Sequence, residues 1–166
     1  MTTTSQRLFL ALWPDAVCQA QLANHVLKWT WSKGCTPYQP QDWHVTLHFI
    51  GQVETRRLPD ITAGVVVPFQ PFELVLDQPK LWPHGLAVLC TSGLPRQLWS
   101  LFDRLGQALR GLGLPVETRP YRPHLTLARH ADGAVAPVDP APVVWQARSY
   151  ALAISTSDKT QRYQVL

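Results

Sequence analysis

Apolar residues in this chain fall mostly in short runs with the two-residue period of strands. Two longer stretches repeat at helical spacing instead. The run RLFLALW, residues 7–13, is apolar and closed by Pro14, which suits a buried strand. Residues 14–29 open with Pro14 and Asp15, two good helix-start residues, and Cys18, Leu22, Val26 and Trp29 then share one face. KGCTPYQPQD, residues 33–42, reads as loop, and WHVTLHFIG, residues 43–51, alternates and ends in glycine as a strand does. The same order returns later. GLAVLCTSG (85–93) reads as a strand. Residues 94–113 read as a helix, with Leu98, Leu101, Phe102, Leu105 and Leu109 in a stripe and Gly111 and Gly113 as its stop. Residues 114–123 read as loop or edge strand, and HLTLAR (124–129) as a strand. One extra strand is expected between the copies at 71–82. Two more are expected at 143–156 and 162–166, joined as a hairpin around SDKTQ.

The repeated unit is therefore strand, helix, loop and histidine-bearing strand, over roughly 7–51 and 85–130. Phe9 precedes His44 by 35 residues, and Val88 precedes His124 by 36. The expected fold is α+β and bilobal: two mainly antiparallel sheets related by a pseudo-twofold around a central cleft, with two main helices outside. Nothing between the halves reads as a linker, so residues 1–166 are expected to form a single domain of two lobes.

Each unit ends in His-x-Thr-Leu, at His44–Leu47 and at His124–Leu127. With 6 histidines in 166 residues, chance supplies about 0.07 copies of such a phrase. On a strand, residues i and i+2 share a face. His44 and Thr46 thus face one way and Val45 and Leu47 the other; His124 and Thr126 repeat the arrangement. Two imidazoles can divide acid and base work near neutrality, and two hydroxyls can donate to phosphate oxygens. Two histidines with two such donors meet the needs of in-line attack on a phosphodiester without a metal. The competing explanation is a duplicated strand whose histidine and threonine are merely buried and hydrogen-bonded.

Composition narrows the setting. With 46% hydrophobic and 16% charged residues the chain is globular, and its 15 prolines favour strands and turns. A net charge of +4 suits a polyanionic partner only weakly. Cys18, Cys35 and Cys90 are odd in number and far apart, which reads as free thiols in a reducing compartment, and so the cytoplasm. No apolar run is long enough for a membrane span or a signal-peptide core.

RLFLALWPD, HVTLHFIG, RPHLTLAR and the closing Tyr163, Val165 and Leu166 together resemble the 2H phosphoesterase superfamily. Within it they are similar to the bacterial LigT-like RNA 2′,3′-cyclic phosphodiesterases, also called 2′-5′ RNA ligases. The resemblance implies metal-free hydrolysis of an RNA 2′,3′-cyclic phosphate to a 2′-phosphomonoester, with reversible 2′-5′ ligation at the same site. It implies no cofactor, and an RNA or nucleotide partner with a cyclic phosphate end, tRNA fragments included. It makes His44 the proton donor to the departing 3′ oxygen and His124 the base. Thr46, Thr126 and Arg129 become phosphate contacts. Arg122, just before the second motif, is a further candidate contact. Trp43 stands where many members carry an aliphatic residue and is expected to alter the cleft rim. A monomer is expected. Two rivals stay open: the same fold acting on another cyclic phosphate or 2′-5′ link, and a non-catalytic RNA-end binding module.

Other residues read more plainly. His48 lies four after His44, but HVTLH lacks the glutamate of a helical zinc pair and alternates as a strand. His25, His84 and His130 are expected at the surface. Phe9 and Trp13 are expected in the core, and Trp29, Trp82 and Trp99 in packing or partly exposed surface. Arg119 and Tyr121 are weaker candidates for contact with a base or phosphate.

Overall fold

The structure, a computed structural model, describes residues 2–166. β1 (Ser5–Leu12) leads into α1 (Ala16–Val26), whose first turn is capped by Asp15 accepting from the Cys18 amide at 2.9 Å. β2 (Thr36–Pro37) and a 3-10 turn at Pro40–Asp42 precede β3 (Val45–Glu54). α2 (Leu58–Gly64), a short helix that the sequence pattern does not announce, follows a second 3-10 turn. β4 (Phe72–Leu76), β5 (Gln78–Trp82), β6 (Leu86–Cys90), α3 (Arg96–Gly111), β7 (His124–Arg129), β8 (Val143–Ala147), β9 (Ala151–Ser155) and β10 (Tyr163–Val165) complete the chain. α3 stops as its glycines predict. Gly113 takes φ 71°, a left-handed conformation that costs glycine little, and the Leu114 amide turns back to the Leu109 carbonyl at 2.9 Å.

The fold is α+β, with antiparallel pairing throughout. The large sheet runs β10-β9-β1-β3-β7-β6-β5, with β2 also on β7. Its two halves touch where β3 meets β7, at the single pair Val45–Leu125. β4 and β8 form a separate two-stranded sheet. The register of one half repeats in the other: Ala11 opposes Thr46 and Leu12 opposes Val45, as Val88 opposes Thr126 and Leu89 opposes Leu125. Ala11, rather than Phe9, is thus the counterpart of Val88, because the connection between the paired strands is shorter in the first half than in the second.

The main core lies on one face of the large sheet. Leu8, Leu10, Leu12, Val45, Leu47, Leu89, Leu125 and Leu127 join Leu22 of α1 and Leu98, Leu101, Leu105 and Leu109 of α3 there. Both main helices therefore sit opposite the cleft. Phe9, Ala11 and Ala153 form a second, smaller cluster apart from that core, with Trp13 and Tyr163 packed on it.

Two of the expected strands divide. Residues 71–82 become β4 and β5, which pair with β8 and β6 in different sheets. The break falls at Asp77, whose carboxylate accepts from the Ser92 amide and hydroxyl at 3.0 and 2.7 Å and so turns the chain. Residues 143–156 likewise split into β8 and β9. The hairpin of β9 with β10 forms as expected. His25 is buried, not at the surface: it lies on the inner stripe of α1 with Cys18 and Leu22 and accepts from Trp29 Nε1 at 3.0 Å. Trp43 is also buried, so it packs beneath the cleft and leaves the rim to other residues.

Candidate active site

The pairing of Val45 with Leu125 puts both on the core face, so their neighbours His44, Thr46, His124 and Thr126 turn to the opposite face. Continuing that antiparallel register sets His44 beside Thr126 and Thr46 beside His124. Four chemistry-bearing side chains thus meet at the seam between the two halves.

The two imidazoles are held in the same way. His44 Nδ1 lies 2.7 Å from the Asp42 carbonyl oxygen, and His124 Nδ1 lies 2.9 Å from that of Arg122. A carbonyl oxygen only accepts, so Nδ1 carries the hydrogen in both rings. Nε2 then keeps its lone pair in the neutral form. Among the described residues no hydrogen bond engages either Nε2, nor the hydroxyls of Thr46 and Thr126. Burial pushes His44 down to about 4, against the Asp42 carbonyl that favours its charged form; His124 and Arg129 push it down further. His124 is also lowered by burial, with the Arg122 carbonyl opposing.

Aromatic rings enclose His44. Trp13 and Tyr163 each lie 4.9 Å from its ring and Phe9 lies 5.2 Å away. Phe9 is buried in the smaller apolar cluster, as expected of a core residue, and Trp13 packs on it half-buried; the same two rings back His44. Trp82 lies 4.5 Å from the His124 ring. Sequence reasoning missed this tryptophan, because only the pairing of β5 with β6 and of β6 with β7 carries it to the histidine. Arg129 sits near enough to lower His44, with its guanidinium 5.5 Å from the Tyr38 ring; Arg162 approaches the same ring at 5.6 Å. Arg122 is exposed and lines a cavity beside His124. Arg119 instead pairs with Glu117 at 2.9 Å on the surface.

His48 lies outside the site. Strict alternation from His44 would turn it to the cleft, but a bulge leaves Leu47 between the pairs Ala11–Thr46 and Leu10–His48 and reverses its direction. It is buried, lies 4.2 Å from the Phe102 ring and donates from Nε2 to the Phe102 carbonyl at 2.7 Å, tying β3 to α3. Tyr121 stacks on the same Phe102 at 4.2 Å and donates to the Thr46 carbonyl at 2.9 Å, which steadies the first motif from the second half. His130 is exposed, within 3.1 Å of the Thr36 hydroxyl.

Comparison with known proteins bears on the family and the fold. The family model of the 2′-5′ RNA ligase superfamily matches residues 18–157. The chain belongs to that superfamily. An RNA 2′,3′-cyclic phosphodiesterase of Escherichia coli strain K12 is 30% identical over 138 residues, covering 78% of this chain and 75% of the relative. One from Methanocaldococcus jannaschii is 26% identical, covering 74% and 70%. The crystal structure of E. coli LigT complexed with NADP+ has a TM-score of 0.83 at 27% identity, covering 98% of this chain and 96% of that one. The chain is thus a LigT-like 2H phosphoesterase in sequence and fold. Among the described residues, no helix is long and apolar enough to cross a membrane. All three cysteines are free thiols, as expected.

Proposed function

We propose that this superfamily member is an RNA 2′,3′-cyclic phosphodiesterase, which opens cyclic phosphate ends to 2′-phosphomonoesters without a metal. One observation carries the reading. Both motif histidines hold Nδ1–H against a backbone carbonyl two residues upstream, leaving two Nε2 atoms for chemistry across one seam. The names of the E. coli and M. jannaschii relatives support the choice of substrate.

In this reading His124 Nε2 takes a proton from water as the water oxygen bonds to phosphorus. The P–O3′ bond breaks in line, and His44 Nε2–H gives its proton to O3′. Thr46, Thr126, Arg129 and Arg122 hold the non-bridging oxygens and the adjoining phosphate. His44 is neutral in the free protein near pH 7, and the charge of a bound phosphate favours its protonated form. Ligation is the same displacement with an RNA 5′-hydroxyl in place of water. The repeated register supports one bilobal domain; a monomer acting on RNA ends, tRNA fragments included, is part of the same proposal. The free thiols support a cytoplasmic setting.

The test is product analysis with cyclic-phosphate-ended RNA in EDTA. We expect turnover with only the 2′-phosphomonoester released. Release of the 3′-phosphate, or activity lost on chelation and restored by a divalent metal, would overturn the reading.

A further inference from the structure

The two histidines have unlike surroundings. Next along β1 from the Leu12–Val45 pair comes Trp13, whose indole fills the space beside His44. In the other half Cys90 opposes His124, and a thiol occupies far less room. A cavity of about 430 Å³ opens there, lined by Lys80, Trp82, Cys90, Tyr121, Arg122 and the Thr91–Leu94 loop. That volume lies within the usual range for small-molecule sites and far beyond the need of a water.

Its walls have a specific chemistry. Trp82 and Tyr121 offer aromatic surface. Among the described residues neither Lys80 nor Arg122 joins an ion pair, and both act on the Cys90 thiol against the upward push of burial. The loop is preformed: Thr91 donates to the Gly93 carbonyl at 2.7 Å, and Asp77 holds Ser92. Aromatic walls beside two unpaired cations suit a nucleoside with a neighbouring phosphate.

The side on which the cavity lies decides which nucleoside. In the proposed displacement O3′ leaves toward His44, so the ribose of the cyclic phosphate lies on that side. The attacking oxygen arrives on the side of His124, where the cavity opens.

Resting on that reading, we propose that this cavity is an acceptor pocket. It takes a nucleoside whose 5′-hydroxyl replaces water, with the phosphate on its 3′ side held by Lys80 and Arg122. In ligation O5′ bonds to phosphorus, its proton passes to His124 Nε2, the P–O3′ bond breaks and His44 protonates O3′. Cleavage of a 2′-5′ link runs the same steps backwards, giving a cyclic phosphate and a 5′-hydroxyl.

The full chain is assayed with two substrates: a nucleoside 2′,3′-cyclic phosphate, and a 2′-5′-linked dinucleotide with a phosphate on its 3′ end. The readout is the ratio of kcat/KM for cleavage of the link to that for cyclic phosphate hydrolysis. Lys80→Ala should lower this ratio about tenfold, the worth of one charge-assisted contact. Gly93→Leu should lower it too, by bulk in the pocket lining; a Cβ at Gly93 meets nothing within 4 Å, so the fold accepts it. A ratio unchanged in both variants overturns the pocket. So does a wild-type protein that hydrolyses the cyclic phosphate yet leaves the 2′-5′ link intact. If neither substrate reacts, the proposed function fails, and the acceptor pocket with it.

Discussion

At the scale of single residues the decisive feature is a pair of imidazoles kept neutral by burial. His44 is pushed to about 4 and His124 is also lowered, so near pH 7 the free site holds two bases and no ready acid. The profile of kcat/KM reports ionisation in the free protein, and its values belong to the coupled pair. We expect a bell with its maximum on the acid side of pH 6.5, the ordinary histidine value. The maximum of kcat should lie at higher pH, because a bound phosphate anion raises both groups. A kcat/KM that climbs steadily through pH 8 would contradict the assignment. His44→Ala and His124→Ala should each lower the rate by about 10²–10⁴. The double variant should lose much less than the product of the two, since the residues act as a unit.

At the scale of elements the bulge at Leu47 separates chemistry from structure within five residues, from His44 just before β3 to His48 inside it. His44 and Thr46 face the cleft, while His48 passes to the core and clamps Phe102 of α3. His48→Ala removes a buried ring and a hydrogen bond together. It should cost about 2–4 kcal/mol in urea denaturation. A loss below about 0.5 kcal/mol, the level of a surface change, would show that the clamp contributes nothing. The link from Tyr121 to the Thr46 carbonyl is a similar device. It ties the loop before the second motif to the strand of the first.

For the whole molecule, two buried and two half-buried histidines set the response to acid. His25, His44, His48 and His124 all have lowered values in the folded state, with burial as the main cause. The unfolded chain therefore binds more protons below about 6.5. Stability is full above that pH and falls as pH drops through the window, which for His44 reaches down to about 4. The His44 shift alone corresponds to about 3 kcal/mol. Tm should decline steadily from pH 7 to pH 4.5, and His44→Ala should flatten the slope. A Tm constant over that range would show that these groups titrate alike in both states.

Local pattern alone was enough for much of this protein. Periods of two and of 3.6 placed β1, α1, β3, α3 and β7, because side chains on one element must choose between one core and solvent. The doubled His-x-Thr-Leu named His44, Thr46, His124 and Thr126, since alternation turns each pair to one face. Only the tertiary structure decided the rest. The bulge that buries His48 arises from how β1 and β3 pair, and it has no turn residue to announce it. His25 was legible in principle, three residues beyond Leu22 on the inner stripe, but its type suggested the surface. Trp82 reaches His124, and Trp13 encloses His44, only through strand neighbours far off in sequence. The same distant pairing sets a thiol across from one histidine and an indole beside the other. Register between remote strands, which no local period encodes, is what makes the two halves of the cleft unequal.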